Sequence, residues 1–161
     1  MTSVGIRVSP SAVYFTKAEF DGNETNFGNP QELIVPRDAL SCPAYLHHVY
    51  TNMSDILRRY EVNAVCVKEA DFHPNRSVNR QRDRIEGVME MLMAHSPANH
   101  YIAGDVNKLS RYVGLTPDEF RRKKKGENFE PVDDPNWGDY SSSQIESILA
   151  SLIAIESYGQ G

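Results

Sequence analysis

Residues 62–67 of this chain read Val-Asn-Ala-Val-Cys-Val, a short run that is apolar and rich in β-branched side chains. A run of this kind is typical of a strand that is buried on both faces, as in the parallel part of a sheet. On either side of it, apolar residues recur every three or four positions and predict amphipathic helices over residues 43–60 and 77–95. A buried strand between two such helices indicates an α/β protein.

Three short strands are predicted before the first helix. Residues 2–8 and 11–17 carry apolar side chains at alternate positions and meet at a Ser-Pro-Ser turn. Residues 31–35 form a third run, which Pro36 ends. Because the three runs follow one another closely, we expect an antiparallel meander.

The remainder of the chain adds one strand and three helices to this pattern. Residues 101–103 predict a small strand, residues 105–113 a helix, and Thr116-Pro117 the start of another helix. The expected fold is therefore an α/β three-layer sandwich with a mixed five-stranded sheet flanked by helices.

The C-terminal third separates into a polar connection and an apolar helix. No periodic pattern survives between Lys123 and Trp137, whereas Ser143 and Glu146 match a capping box ahead of a strongly apolar helix. The predicted organisation is an α/β core, a mobile linker, a closing helix packed on the core, and a tail: residues 1–122, 123–139, 140–157 and 158–161.

Charge is distributed unevenly along the 161 residues. The formal net charge is −5, but residues 126–161 contain seven acidic residues and neither Lys nor Arg, so residues 1–125 carry +2. The acidic total argues against a protein that coats nucleic acid, yet a local basic face remains available for binding. The basic run over residues 121–125 is expected to be paired with the acidic segment of the same chain.

Several classes of protein are excluded by what the sequence does not contain. No uninterrupted apolar stretch is long enough to span a bilayer, the N-terminus does not match a secretory signal, and two cysteines form no disulfide framework. A cytoplasmic protein without membrane contact is therefore expected. The five histidines show no zinc-ligand spacing and no glycine-rich phosphate loop is present, so we expect no metal site and no bound cofactor.

Three blocks of this sequence carry a likeness to a known family: Val4–Ser11, Arg59–Glu69 with its continuation Asn79–Val88, and Gln144–Leu152. They resemble the RuvC-type branch of the RNase H-like superfamily, to which Holliday junction resolvases belong. The second block also contains a Val-x-x-Lys-Glu version of the central strand, similar to that of a group of uncharacterised bacterial proteins, and the chain looks closer to these than to true resolvases.

The resemblance implies a site at the ends of these elements, where nucleases of the family hold two divalent ions between carboxylates. The family pattern places Asp where this chain has Arg7, and Glu where it has Lys68; only Glu146 matches in kind. Two cations at ligand positions repel Mg²⁺. The first hypothesis is therefore a non-catalytic domain that works as a binding or adaptor subunit in a nucleic-acid-related system.

The second hypothesis is a divergent nuclease that depends on Mg²⁺ or Mn²⁺. A one-residue bulge would place Glu69 where Lys68 aligns, and Glu69, Asp71 and Glu146 would then form the catalytic site. This hypothesis requires the three carboxylates to lie close together. It fails if Arg7 or Lys68 fills that space with an ion pair.

Contacts to nucleic acid are predicted from a second group of basic residues. Arg76, Arg80 and Arg84 recur every four positions and form one ridge of the predicted helix, which would follow a phosphate backbone together with Arg7 and Lys68. The alternative for the ridge is an ordinary solvated helix face.

The third hypothesis concerns protein partners. The helix over residues 77–95 carries Met89, Met91 and Met93, whose flexible side chains make adaptable contacts. A homodimer or another protein partner is therefore expected on this helix, in keeping with the dimers that RuvC-type proteins form.

Overall fold

A mixed sheet of six strands lies at the centre of the computed structural model, which describes residues 1–160. The strands are β1 (Thr2–Val8), β2 (Ala12–Phe20), β3 (Thr25–Phe27), β4 (Gln31–Ile34), β5 (Ala64–Lys68) and β6 (His100–Gly104). Along the sheet the order is β3-β2-β1-β5-β6, and β4 pairs with β2 beside β3. β1, β5 and β6 are parallel to one another, whereas β2 is antiparallel to its three neighbours.

Helices cover both faces of this sheet, which confirms the predicted α/β fold. The helices are α1 (Cys42–Arg59), α2 (Arg76–Met93), α3 (Val106–Leu109), α4 (Pro117–Lys123) and α5 (Ser142–Tyr158). The helix expected over residues 105–113 is α3 continued by a 3₁₀ turn, which ends where Gly114 adopts a left-handed φ of 68°. The sixth strand, β3, was not predicted because three residues are too few to show alternation.

Side-chain alternation along β1 assigns the two faces of the sheet. Val4, Ile6 and Val8 are fully buried in the core that also contains the inner sides of α1 and α2. Ser3 points to the opposite face, where its hydroxyl donates a 2.8 Å hydrogen bond to the carbonyl of Ser151 on α5. A second core lies on this face and includes most of the apolar side chains of α5.

Gly5 allows α5 to lie directly against β1. A Cβ atom at this position would lie 2.1 Å from both the carbonyl oxygen of Ser147 and the amide nitrogen of Ser151. No larger residue fits, because the neighbouring atoms belong to the helix backbone. The close approach places the first half of α5 over the carboxyl end of β1.

The start of α5 differs from the prediction. The capping box assigned to Ser143 and Glu146 is wrong: Ser141 is the N-cap, its hydroxyl accepts from the amide of Gln144, and the Gln144 side chain accepts from the amide of Ser141. Two overlapping Ser-x-x-Glu/Gln matches occur in this stretch, and the earlier one begins the helix. Glu146 therefore lies in the second turn, free of a capping role.

The connection between α4 and α5 contributes apolar side chains to the core. Phe129, Val132 and Trp137 are buried in the core beneath α5, and the Trp137 indole donates a 3.0 Å hydrogen bond to the carbonyl of Glu127. The mobility expected for residues 123–139 stays a prediction. Gly161, the last residue of the expected tail, lies outside the described residues. Among residues 1–160, no helix is both long enough and apolar enough to cross a membrane.

Candidate cation cluster at the ends of the central strands

Arg7 and Lys68 lie side by side at the carboxyl ends of two parallel strands. They are direct register partners between β1 and β5, and both extend towards α5, as Ser3 and Gly5 do. Glu146, in the second turn of α5, lies over them. The structure therefore brings together the three positions at which the family resemblance expects metal ligands.

Glu146 is buried and bound by cations. Its Oε2 accepts a 2.5 Å hydrogen bond from Nε of Arg7, and its Oε1 lies 3.6 Å from Nζ of Lys68. The exposed fraction is 2% for the Glu146 side chain and 0% for that of Lys68. Arg7 also donates to the carbonyl of Val8, and Lys68 donates to the carbonyl of Glu69 at 2.5 Å.

Asp71 and Lys124 complete the arrangement. The Lys124 Nζ lies 3.0 Å from Asp71 Oδ2 and 3.5 Å from Glu146 Oε1, while the Lys68 Nζ lies 3.5 Å from Asp71 Oδ1. Two lysines therefore bridge two carboxylates in a closed ring. We call these four residues together with Arg7 the cation cluster: Arg7, Lys68, Asp71, Lys124 and Glu146.

The sequence did not reveal Lys124 as part of this cluster. The basic run over residues 121–125 was expected to pair with the acidic C-terminal segment, and Glu127 of that segment does bind Arg122 and Lys123. Lys124 instead reaches back to Asp71, 53 residues earlier in the chain. No local pattern carries that information, since the contact joins the residue that follows α4 to the loop that follows β5.

Both carboxylates of the cluster are held in their ionised forms. Burial alone would raise the pKa of Glu146, but the charges of Arg7, Lys68 and Lys124 together outweigh it and lower that pKa. The pKa of Asp71 is also lowered: partial burial acts to raise it, and the charges of Lys68 and Lys124 prevail. At neutral pH the cluster thus contains three cations and two anions.

This charge arrangement does not fit the divalent ion that the fold family implies. Such an ion needs several carboxylate oxygens directed at one point. In residues 1–160, no three His, Cys, Asp or Glu side chains come together in a way that could hold a metal ion. The oxygens of Glu146 instead face three cations, and its Oε1 is buried without a hydrogen bond.

The strand register determines which residue faces Glu146. The pairing of β5 with β1 and with β6 continues without interruption to Lys68, which leaves no room for a bulge that would substitute Glu69. Glu69 follows on the next position, and its amide donates to the carbonyl of Gly104 at 2.9 Å. Lys68 is therefore the residue on the α5 side, with Asp71 three residues beyond it.

Glu86 of α2 fixes the loop that follows β5. Its Oε1 accepts a 3.1 Å hydrogen bond from the amide of Ala70. Burial raises the pKa of Glu86, although this hydrogen bond and the charge of Arg7 act against the increase. The loop thus begins at a fixed point next to the cation cluster.

The predicted arginine ridge is present on the exposed side of α2. Arg76, Arg80 and Arg84 are all exposed, and within residues 1–160 none of them forms an ion pair with a carboxylate, although Arg84 contacts the Cys42 thiol at 3.4 Å. Over eight residues the ridge extends about 12 Å along the helix. We call these three residues the arginine ridge.

Along the chain, Phe72 lies between Asp71 of the cluster and Arg76 of the ridge, and the sequence did not single it out. It follows Asp71 directly and its exposed fraction is 85%. An aromatic ring this exposed gains nothing from folding, because it is not removed from water. The only sequence signal was an aromatic residue in a polar loop beside a basic helix.

The helix expected to bind a partner presents one of its three methionines on the surface. Met89 is buried in the core, so it contributes nothing to a surface. Met91 is 55% exposed and lines a groove of about 430 Å³ between α1 and α2, together with Leu46 and Tyr50. The surface available to a partner is this groove.

Comparison with known proteins gives matches among solved structures. No family model and no curated protein matches the chain. The structure of Thermus thermophilus RuvC in complex with a Holliday junction substrate is similar over 100% of this chain and 97% of that chain, with a TM-score of 0.72 and 12% identity. The yeast mitochondrial Holliday junction resolvase Ydc2 matches over 98% of this chain and 80% of its own, with a TM-score of 0.64 and 9% identity.

A viral structure shows the same architecture. The fowlpox virus resolvase in complex with Holliday junction DNA matches over 98% of this chain and 99% of its own, with a TM-score of 0.54 and 12% identity. At these identities the likeness concerns the fold. The chain therefore has the RNase H-like fold in its RuvC-type form.

Proposed function

We propose that this protein is a non-catalytic, RuvC-like nucleic-acid-binding protein that works as a binding or adaptor subunit. The observation that carries the proposal is the cation cluster: Arg7, Lys68 and Lys124 surround Glu146 at the ends of the central strands. By the family resemblance, a nuclease of this fold would need carboxylates around metal ions where this chain has Arg7 and Lys68.

Electrostatics supports the absence of metal-dependent cleavage. A divalent cation entering the cluster would meet three positive charges within a few ångströms, two of them on side chains that are almost fully buried. To bind the metal, Glu146 would have to give up Arg7 and leave a buried guanidinium without its partner, which costs several kcal/mol, about 3–5 in comparable cases.

The surface next to the cluster supports binding of nucleic acid. The arginine ridge offers three charges that no carboxylate of the described chain neutralises, which suits contacts to phosphates. Phe72, four residues before Arg76 in the chain, is exposed and suits stacking on an unpaired base. Since two of the similar structures were solved with Holliday junctions, branched DNA is the first ligand to test.

Binding and cleavage are measured in one experiment. Fluorescence anisotropy with a four-way junction, a duplex and a single strand of equal length is expected to show salt-dependent binding. Incubation of the same DNAs with Mg²⁺ or Mn²⁺ is expected to leave them intact. Metal-dependent cleavage that is lost in Glu69→Gln and in Asp71→Asn would establish the nuclease alternative instead, and absence of binding to every DNA would refute the proposal.

A homodimer through α2 is the second candidate, and the groove lined by Leu46, Tyr50 and Met91 favours it. Light scattering coupled to size exclusion would then give twice the monomer mass, and Met91→Glu would return it to the monomer. Asn107→Glu is the control, because it introduces the same charge at an exposed position on α3. A monomer before any substitution would rule out the homodimer.

A further inference from the structure

The Asp71 carboxylate occupies the cation cluster in the manner of a phosphate group. Each of its oxygens faces a different lysine: Oδ1 lies 3.5 Å from Nζ of Lys68, and Oδ2 lies 3.0 Å from Nζ of Lys124. The two ammonium groups are therefore spaced to receive two oxygens of one anion. Lysine and arginine bind phosphate oxygens with the same charge-assisted hydrogen bonds.

We propose that Lys68, Lys124 and Arg7 form a binding site for a single phosphate group, for which Asp71 is the internal competitor. The inference rests on the proposed function, in which the phosphate belongs to a nucleic-acid backbone. A free phosphate group has the same chemistry, and the experiment below separates the two sources.

Burial shows which carboxylate is exchangeable. Glu146 is 2% exposed and anchored on α5, whereas Asp71 is 45% exposed and lies at the mouth of the cluster. Lys68 lies beneath Asp71 and is fully buried. Movement of the Asp71 side chain therefore uncovers Lys68 and leaves Glu146 in place to hold Arg7.

The charge balance favours an incoming anion. With Asp71 in place the cluster carries a formal charge of +1, and once Asp71 turns outward it carries +2. Binding of a phosphodiester, with its single negative charge, returns the formal charge of the cluster to +1. Binding of a phosphate monoester, which carries more negative charge, lowers the formal charge further. The excess of positive charge distinguishes this cluster from an ordinary structural ion pair, in which the charges cancel.

The backbone at Asp71 allows this exchange. The loop is held on one side by the Ala70 amide on Glu86, and on the other by two hydrogen bonds between His73 and Asn79. Between these points, neither Asp71 nor Phe72 makes a backbone hydrogen bond to any residue of 1–160. The Asp71 side chain can turn away while β5 and α2 stay intact.

Asp71→Asn tests the competition directly. The variant keeps the shape of the side chain and removes its charge, so we expect it to bind inorganic phosphate about five- to tenfold more tightly than the original protein, as loss of two partly exposed ion pairs implies. Affinity is measured by NMR titration of the Arg7 Nε–H signal, and binding of the DNA probes by anisotropy.

Two further variants make the result specific. Glu19→Gln removes the same charge from an exposed ion pair at the opposite end of β2 and is expected to leave the phosphate affinity unchanged. Lys124→Gln in the Asp71→Asn background is expected to cancel the gain, because one of the two phosphate-binding ammonium groups is then missing.

The outcomes separate the inference from the proposed function. Tighter binding of both phosphate and DNA supports a backbone phosphate, whereas tighter binding of phosphate with no binding of DNA supports a free phosphate group and refutes the proposed function. If Asp71→Asn matches the original protein or Glu19→Gln with both probes, the inference is overturned, whether or not DNA binds.

Discussion

The two sides of the central sheet use basic residues in opposite ways. On the α5 side, Lys68 is fully buried, Arg7 is half-buried, and each faces Glu146. On the α2 side, the arginine ridge is exposed and free of carboxylate partners among the described residues. Burial and ion-pair partners, rather than the number of charges, therefore determine what a basic residue does in this protein.

The free-energy cost of burying a charge explains why the two groups of basic residues behave differently. A buried charge is stable only while its partner is present, so the cation cluster depends on the fold and the fold depends on the cluster. An exposed arginine retains its water and contributes little to stability, which leaves it available to a polyanion. Substitutions on the α5 side should therefore change stability, and substitutions on the α2 side should change binding.

The largest effect is expected for Gly5→Ala. A methyl group at this position meets the α5 backbone at 2.1 Å, and because neither the strand nor the helix can yield locally, we expect a loss of about 4–5 kcal/mol or failure to fold. Urea unfolding followed by circular dichroism measures the change.

Gly87→Ala is the matched control on the opposite side. Gly87 lies within α2, and a Cβ there meets no atom within 4 Å. Alanine is the better helix former, so this variant should be stabilised by about 0.5–1 kcal/mol. Equal stability of the two variants would mean that α5 does not press against β1 as described.

Glu146→Gln is expected to have the next largest effect. Glutamine still accepts a hydrogen bond from Arg7, but the buried cations lose the negative charge that balances them, and the expected loss is about 3 kcal/mol. Urea unfolding at pH 7 measures it. Glu127→Gln removes an exposed carboxylate that also binds two cations, and it should leave the unfolding midpoint unchanged. A similar loss in both variants would show that burial of the ion pair does not determine its contribution to stability.

How much of the cation cluster and the arginine ridge could be predicted depends on how far apart in the sequence the interacting residues lie. The alternation in β1, the apolar run of β5 and the arginine spacing in α2 are local patterns, and they correctly predicted the fold and the ridge. The proximity of Arg7, Lys68 and Glu146 was expected only through the family resemblance. Lys124 was missed because its contact joins distant segments, and Phe72 because exposure is not visible in a sequence.

Replacing the arginine ridge should weaken binding without unfolding the protein. For Arg76→Gln/Arg80→Gln/Arg84→Gln, we expect DNA affinity to decrease about ten- to fiftyfold and the slope of log affinity against log salt to decrease by about 3. Anisotropy at four salt concentrations measures both. Arg58→Gln/Arg59→Gln removes exposed arginines at the end of α1 and should change neither; an equal effect would show that overall charge, rather than the ridge, governs binding.

Acidification should produce a smaller change in the free energy of unfolding. Protonation of Glu146 on the α5 side lowers this free energy, whereas protonation of Glu86 on the α2 side raises it. The charges around Glu146 hold its pKa below the usual value of about 4.5, so its contribution to stability is complete above that pH and is lost as the pH falls through the lowered pKa. Burial raises the pKa of Glu86, so protonation of Glu86 at higher pH favours the folded state.

Unfolding free energy measured from pH 7 to pH 3 should therefore hold or rise slightly before it falls. Glu86→Gln should remove the slight rise in unfolding free energy, because Glu86 no longer titrates. Glu146→Gln should make the fall at lower pH less steep, because Glu146 no longer titrates.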